Sequence, residues 1–147
     1  MFKHILAAID GSEHSTKAAK VAIELARTYG SDLTLLHVTR KLDLPDQLKE
    51  YLKAEHLTRE DLPALDEATK RIIDDVRIKA EAQGLKRVRT IFREGKPARS
   101  IVEYARSASI DAIVMGSRGL SDFESALLGS VSHKVASLAG CTVMIVK

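Results

Sequence analysis

The chain has 147 residues, a length that suits one domain, 1–147, with a core large enough to need no covalent staples. Apolar residues make up 45% and charged residues 29%, and the net charge of +3 is mild and scattered, so neither a disordered chain nor a specific nucleic-acid binder is expected. The single cysteine, Cys141, excludes an internal disulfide framework and a cysteine-rich metal site.

Lys3 to Ile9 is a short apolar run that stops at Asp10-Gly11-Ser12, which predicts a buried strand followed by a turn. The run is too short for a signal-peptide core or a membrane span, as are the other apolar runs, so a cytoplasmic location is expected, with no membrane partner. Ala18, Val21, Ala22, Leu25 and Tyr29 then recur at helical spacing, and Gly30 stands where a helix stops. Asp32 to Val38 reads as a second buried strand. Residues 40–62 are charged and irregular, with Leu48, Tyr51 and Leu52 hinting at a helical turn or two.

A longer helix follows, with Leu65, Ala68, Ile72, Val76 and Ala80 expected on one face and Gly84 as its stop. Val88 to Phe92 is a third strand. Gly95-Lys96-Pro97 opens another helix, since proline fits a first turn, and Ile101, Val102 and Ala105 form its apolar stripe. Asp111 to Met115 is a fourth strand. After a loop, Val131, Val135 and Leu138 mark a helix with Gly140 as its cap, and Thr142 to Val146 closes the chain as a fifth strand, beside which Cys141 reads as a small buried hydrophobe.

Short apolar strands alternating with helices predict an α/β fold, a parallel sheet covered on both faces by right-handed crossovers. In such a sheet ligands sit outside the carboxyl ends of the strands, where the strand order reverses. The loops to inspect are AIDGS, VTR, EGKPA and GSRG. Neither G-x-x-x-x-G-K-[ST] nor a G-x-G-x-x-G after the first strand is present.

Glycines collect instead after strand four, in GSRGLSDFESALLGSVS. Gly116 lacks a Cβ and would let a phosphate or ribose approach the backbone. Gly119 can turn N–H groups inward, and Gly129-Ser130 begins a helix whose free N–H groups and dipole favour phosphate, with Arg118 as a nearby cation. The same residues read equally well as an ordinary βα turn with Ser130 as an N-cap. Asp10 reads either as a turn former or as a carboxylate for a ribose hydroxyl or for water-mediated Mg²⁺.

The stretch has the form G-2x-G-9x-G-(S/T), with Gly116, Gly119, Gly129 and Ser130 in its four places, and so resembles the ATP-binding branch of the universal stress protein family. KHILAAIDGSEHSTKA, DLTLLHV, EGKPARSIVEYA and TVMIV are also similar to that family, so the resemblance covers essentially the whole chain. It implies a doubly wound, Rossmann-like five-stranded sheet of order 3-2-1-4-5. It also implies ATP, with Mg²⁺, as the ligand. Ala8, Ile9, Asp10 and Val38 would lie at the adenosine end, Met115 and Gly116 on the ribose side, and Gly119, Gly129, Ser130 and Val131 at the phosphates. A homodimer paired through strand 142–146 is implied as well, and the apolar edge VMIV invites such pairing.

The function so implied is a nucleotide-dependent regulatory module in a stress response, acting on a protein partner. The alternatives are a slow ATPase or self-phosphorylating enzyme with Ser130 or a neighbour as acceptor, and an interaction subunit that binds no nucleotide. Ser117, Ser121 and Ser125 show no neighbouring general base in the sequence. His4, His14, His37, His56 and His133 lack metal-ligand spacing, and His133 reads as a surface residue. At most slow hydrolysis is expected. Phe123, Leu127 and Leu128 read as anchors of the loop to the domain.

Overall fold

The computed structural model describes residues 1–40, 47, 63–119 and 128–147; of residues 63–66 it describes the backbone. The expected helical turns at Leu48, Tyr51 and Leu52, and the anchoring by Phe123 and Leu127, lie outside these residues. The described elements are β1 (His4–Ala8), α1 (Glu13–Tyr29), β2 (Asp32–Thr39), α2 (Pro63–Ala82), β3 (Val88–Glu94), α3 (Pro97–Ser107), β4 (Ala112–Gly116), α4 (Ser130–Leu138) and β5 (Thr142–Val146). The strands form one sheet in the order β3-β2-β1-β4-β5, with every pair parallel.

Side-chain alternation along each strand divides the core in two. Ile5, Ala7, Ile9, Leu33, Leu35, Ala112 and Val114 face one way and pack against α1 and α2. Leu6, Ala8, Leu36, Ile113 and Met115 face the other way and pack against α3 and Val135 of α4. The continuous apolar runs of β1, β2 and β4 thus arise because both faces are buried, as parallel sheets require. The sheet is doubly wound, as expected.

The helices form where the sequence predicts them, with faces slightly rotated. Ser12 caps α1 by accepting the Ser15 N–H at 3.1 Å, and Gly30 ends it in the left-handed region at φ 65°. The buried face of α1 runs through Ala18, Ala19, Ala22, Ile23 and Ala26, while Val21 and Leu25 are half-buried and Tyr29 is exposed. On α2, Thr69, Ile73, Val76 and Ala80 are buried, whereas Ala68 is exposed and Ile72 only half-buried. The expected stripe holds at Val76 and Ala80 and is one position out before them, where Thr69 and Ile73 take the inward places expected of Ala68 and Ile72. Gly140 is not the cap of α4: Ala139 holds that position in extended conformation, with its N–H on the Val135 carbonyl.

The reversal of strand order falls at β1, which pairs with β2 on one side and β4 on the other. Ala8, the last residue of β1, lies opposite Leu36 and Met115. The carboxyl ends of the three central strands therefore open side by side, and the starts of α3 and α4 overhang them.

Candidate functional site

A cleft of about 280 Å³ occupies this position. Ala8, Ile9 and Asp10 line it from the end of β1, and Leu36 to Arg40 line it from the end of β2. Met115 and Gly116 come from β4, Arg118 and Gly119 from the loop behind it, and Ser130, Val131 and Ser132 from the first turn of α4. Pro97 and Ile101 close the α3 side. Of the residues predicted from sequence, all but Gly129 line this one cleft. Gly129 is buried immediately beside it, as the N-cap of α4.

Each wall has a local cause. Asp10 accepts the Ser12 N–H through Oδ1 at 2.9 Å, so its turn-forming role is real even though it also faces the cleft. His37 is buried and its Nδ1 lies 2.8 Å from the Ile9 carbonyl, which requires the proton on Nδ1 for that bond and ties the ends of β1 and β2 together. Ile9, Val38, Leu36, Ile101 and Met115 give the inner part an apolar lining, while Arg40 and Arg118 bring cations to opposite rims.

Gly116 plays a different role from the one its place suggests. A Cβ there would stand 2.7 Å from the His14 Cβ, 2.8 Å from the His14 carbonyl carbon and 2.9 Å from the Ser15 nitrogen. Its missing side chain therefore admits the first turn of α1 against β4, and close approach of a ligand is not what excludes a Cβ. Ser130, too, is not an N-cap. Gly129 takes that position, without a side-chain hydrogen bond, and Ser130 is the exposed first residue of the helix.

Ser117 is the second correction of chemical consequence. It has a histidine neighbour after all: its Oγ lies 3.2 Å from the His14 Nδ1, a pairing invisible in sequence because the residues are far apart along the chain. Ser117 is buried, and its backbone is engaged on both sides, by its own N–H on the Val146 carbonyl and by the Gly129 N–H on its carbonyl. His133 is exposed, as expected. Leu128 is half-buried. Ser121, Ser125 and His56 lie outside the described residues.

Cys141 is half-buried against the α3–α4 side of the core, and burial first, then the nearby Asp111 charge, push its thiol pKa up. That agrees with the reading of an inert small hydrophobe. Among the described residues, no group of three His, Cys, Asp or Glu side chains could hold a metal ion, and no helix is long and apolar enough to cross a membrane.

The cleft residues that sequence reasoning missed are Ser15, Leu36, His37, Thr39 and Arg40 on one side, and Pro97, Ile101 and Ser132 on the other. The signal for Arg40 was present, since it ends the VTR loop at a strand terminus. Ser132 gave none beyond its place two residues past Ser130.

The fold and this cleft define an open, doubly wound α/β domain with a pocket at its topological switch point. Comparison with known sequences narrows the class: the universal stress protein family profile matches residues 1–147. The chain belongs to the universal stress protein family. It is 36% identical over 149 residues to the universal stress protein YxiE of Bacillus subtilis, covering all of both chains. It is 37% identical over 151 residues to a universal stress protein of Thermus aquaticus, again over all of both. Among solved structures it is similar to MJ0577, with a TM-score of 0.79 and 29% identity over all of this chain and 96% of that one; the sequence match identifies that protein's source as Methanocaldococcus jannaschii. More distant members with the same fold have been solved with cAMP, with dAMP (from Archaeoglobus fulgidus) and with AMP (from Arabidopsis thaliana).

Proposed function

We propose that the protein is an ATP-binding regulatory module of a stress response, whose occupied and empty states present different surfaces to a protein partner. The observation that carries this reading is the convergence of the predicted residues on one cleft at the switch point. In the proposed arrangement Ile9 and Val38 contact the adenine, Ala8 and Asp10 flank the nucleoside, and Met115 and Gly116 lie along the ribose. Gly119, Gly129, Ser130 and Val131 meet the phosphates at the start of α4, where unpaired N–H groups favour anions. Arg118 adds charge. Adenine nucleotides in family members of the same fold support the ligand class.

Mg²⁺ in this reading arrives with the nucleotide. The described residues offer no carboxylate cluster for it, so Asp10 would reach it only through water. The resemblance to the family also supports a cytoplasmic homodimer paired through the β5 edge, Thr142–Val146, whose outer side has no strand neighbour among the described residues.

The test begins with heat-denatured protein and mass spectrometry of what it releases, followed by titration of nucleotide-free protein with Mg·ATP, ADP, AMP and Mg·GTP. ATP should bind with the highest affinity. A Gly129→Val variant should lose ATP binding, because a branched side chain at this buried N-cap fills the phosphates' approach. Unchanged ATP affinity in that variant would falsify the loop assignment.

A further inference from the structure

Ser132 lines the cleft but is 2% exposed, and its hydroxyl is not presented to a ligand as a donor. Its Oγ lies 3.0 Å from the Ser117 carbonyl oxygen and 3.0 Å from the Gly129 carbonyl oxygen. A hydroxyl has one proton, so it donates to these two carbonyls as a shared hydrogen bond. The Ser117 carbonyl also accepts the Gly129 N–H at 2.6 Å. Two donors thus converge on one carbonyl, one from the N-cap of α4 and one from its first turn. Ser117 directly follows Gly116, and Gly129 closes the nine-residue interval after Gly119.

We propose that Ser132 is a positioning residue. Its hydroxyl clasps the two ends of the loop between β4 and α4, so that the Gly119 end and the Gly129–Ser130 end are held as one anion site before any ligand arrives. This rests on the proposed nucleotide reading for its ligand, though the clasp itself is a property of the free protein. The physical reason is preorganisation. Without the clasp, the loop ends must be ordered at the expense of binding free energy, and the loss falls on the phosphates they meet. Ser132 is the third residue of the helix, past the position from which a side-chain oxygen caps, so the first N–H groups of α4 receive no side-chain cap.

Two measurements on the full chain test it. In nucleotide-free protein, Ser132→Ala should speed hydrogen exchange of the Gly129 amide by about tenfold, a factor equal to about 1.4 kcal/mol and within what one buried hydrogen bond contributes. Amides of β1 should keep their protection. In titrations, the same variant should bind Mg·ATP about tenfold more weakly while adenosine affinity changes less than about twofold, and Ser132→Thr should recover most of the loss. Ser137→Ala is the control: that serine donates to the His133 carbonyl on the same helix but is exposed and outside the clasp. It should behave as wild type in both assays.

Unchanged Gly129 exchange in Ser132→Ala overturns the clasp. Equal losses for ATP and adenosine overturn its assignment to the phosphates. A wild-type protein that binds no nucleotide overturns the functional reading, and Gly129 exchange then still decides the clasp.

Discussion

Gly116→Ala separates two explanations of the same glycine. If Gly116 served ligand approach, alanine would weaken nucleotide binding and leave the free protein alone. The geometry points elsewhere, because the new Cβ would sit 2.7–2.9 Å from the His14 Cβ, the His14 carbonyl carbon and the Ser15 nitrogen. Two of these are backbone atoms of the first turn of α1, so no side-chain rotation relieves the contact. That turn is itself held by the Ser12 cap, and β4 is held by β1 and β5 on its two sides. The φ of Gly116 is not in the positive region, so alanine suffers no conformational penalty there. It even gains about 0.4–1 kcal/mol by restricting the unfolded chain. Overpacking of a close-packed contact costs about 1–3 kcal/mol. Two of the three contacts are to backbone that cannot move, which puts the loss in the upper part of the resulting range of about 0–2.6 kcal/mol, at about 1.3–2.6 kcal/mol, or a fall in Tm of about 3–10 °C for a chain of this size. Calorimetry on nucleotide-free protein reads this directly. In a His14→Gly background, which lacks one of the three contacts, Gly116→Ala should lower Tm less than it does in wild type. A nucleotide-free Tm within about 1 °C of wild type refutes the packing argument.

Three further outcomes are expected. Asp111 accepts the Lys3 and His4 N–H groups through Oδ2 at 2.8 Å each, and these bonds, His4 first, hold its pKa below the usual carboxylate range. A depressed folded pKa gives stability that is complete above the unfolded value and lost as pH falls through the folded one. Wild-type Tm should therefore drop in acid more steeply than that of Asp111→Asn, and parallel acid profiles would count against the link. Cys141 should react with iodoacetamide at pH 7.5 more slowly than a free cysteine, since its thiol pKa is raised by burial and by the Asp111 charge; faster labelling would contradict that. If β5 pairs with its mate, light scattering should give twice the 16.1 kDa of the chain, and Thr142→Lys, at an exposed edge position, should shift the protein towards monomer.

The fold was legible because the central strands β1, β2 and β4 are apolar on both faces and turn chemistry marks several element ends. Asp10-Gly11-Ser12, Gly30 and Gly95-Lys96-Pro97 fall where the structure changes element. The periodicity was less reliable at helix faces. On α2 the inward positions include Thr69, which is apolar enough to bury one side but does not register in a stripe of aliphatic residues. The strand order came from the family resemblance, as no periodicity encodes it. In the cleft, the glycine signature picked out residues that line one pocket, but it gave no sign that a Cβ at Gly116 would meet α1, about a hundred residues earlier in the chain. The same distance hid the Ser117–His14 contact. Sequence spacing finds what a loop brings together with itself; it does not find what packs against that loop from elsewhere.

The three helix starts with described caps differ in a way that bears on the cleft. At α1 the Ser12 side chain accepts the Ser15 N–H, so a first-turn donor is satisfied from within. At α3 the N-cap Lys96 provides no side-chain bond, but Pro97 at the first position has no N–H to satisfy. At α4 neither device is present: the N-cap is Gly129, the first helical residue is Ser130, and no side-chain cap is made. Ser130 and Ser132 both lie past the N-cap position, Ser130 exposed and Ser132 donating to the Ser117 and Gly129 carbonyls. Ser130, Val131 and Ser132 of this turn line the cleft together with Arg118, so its uncapped N–H groups stand beside a cation. With glycine rather than serine at the N-cap, this turn gives up only about a few tenths of a kcal/mol of capping stability. A phosphate bound there, as proposed, would add bonds to the first N–H groups of α4, a turn the Ser132 clasp already holds in place.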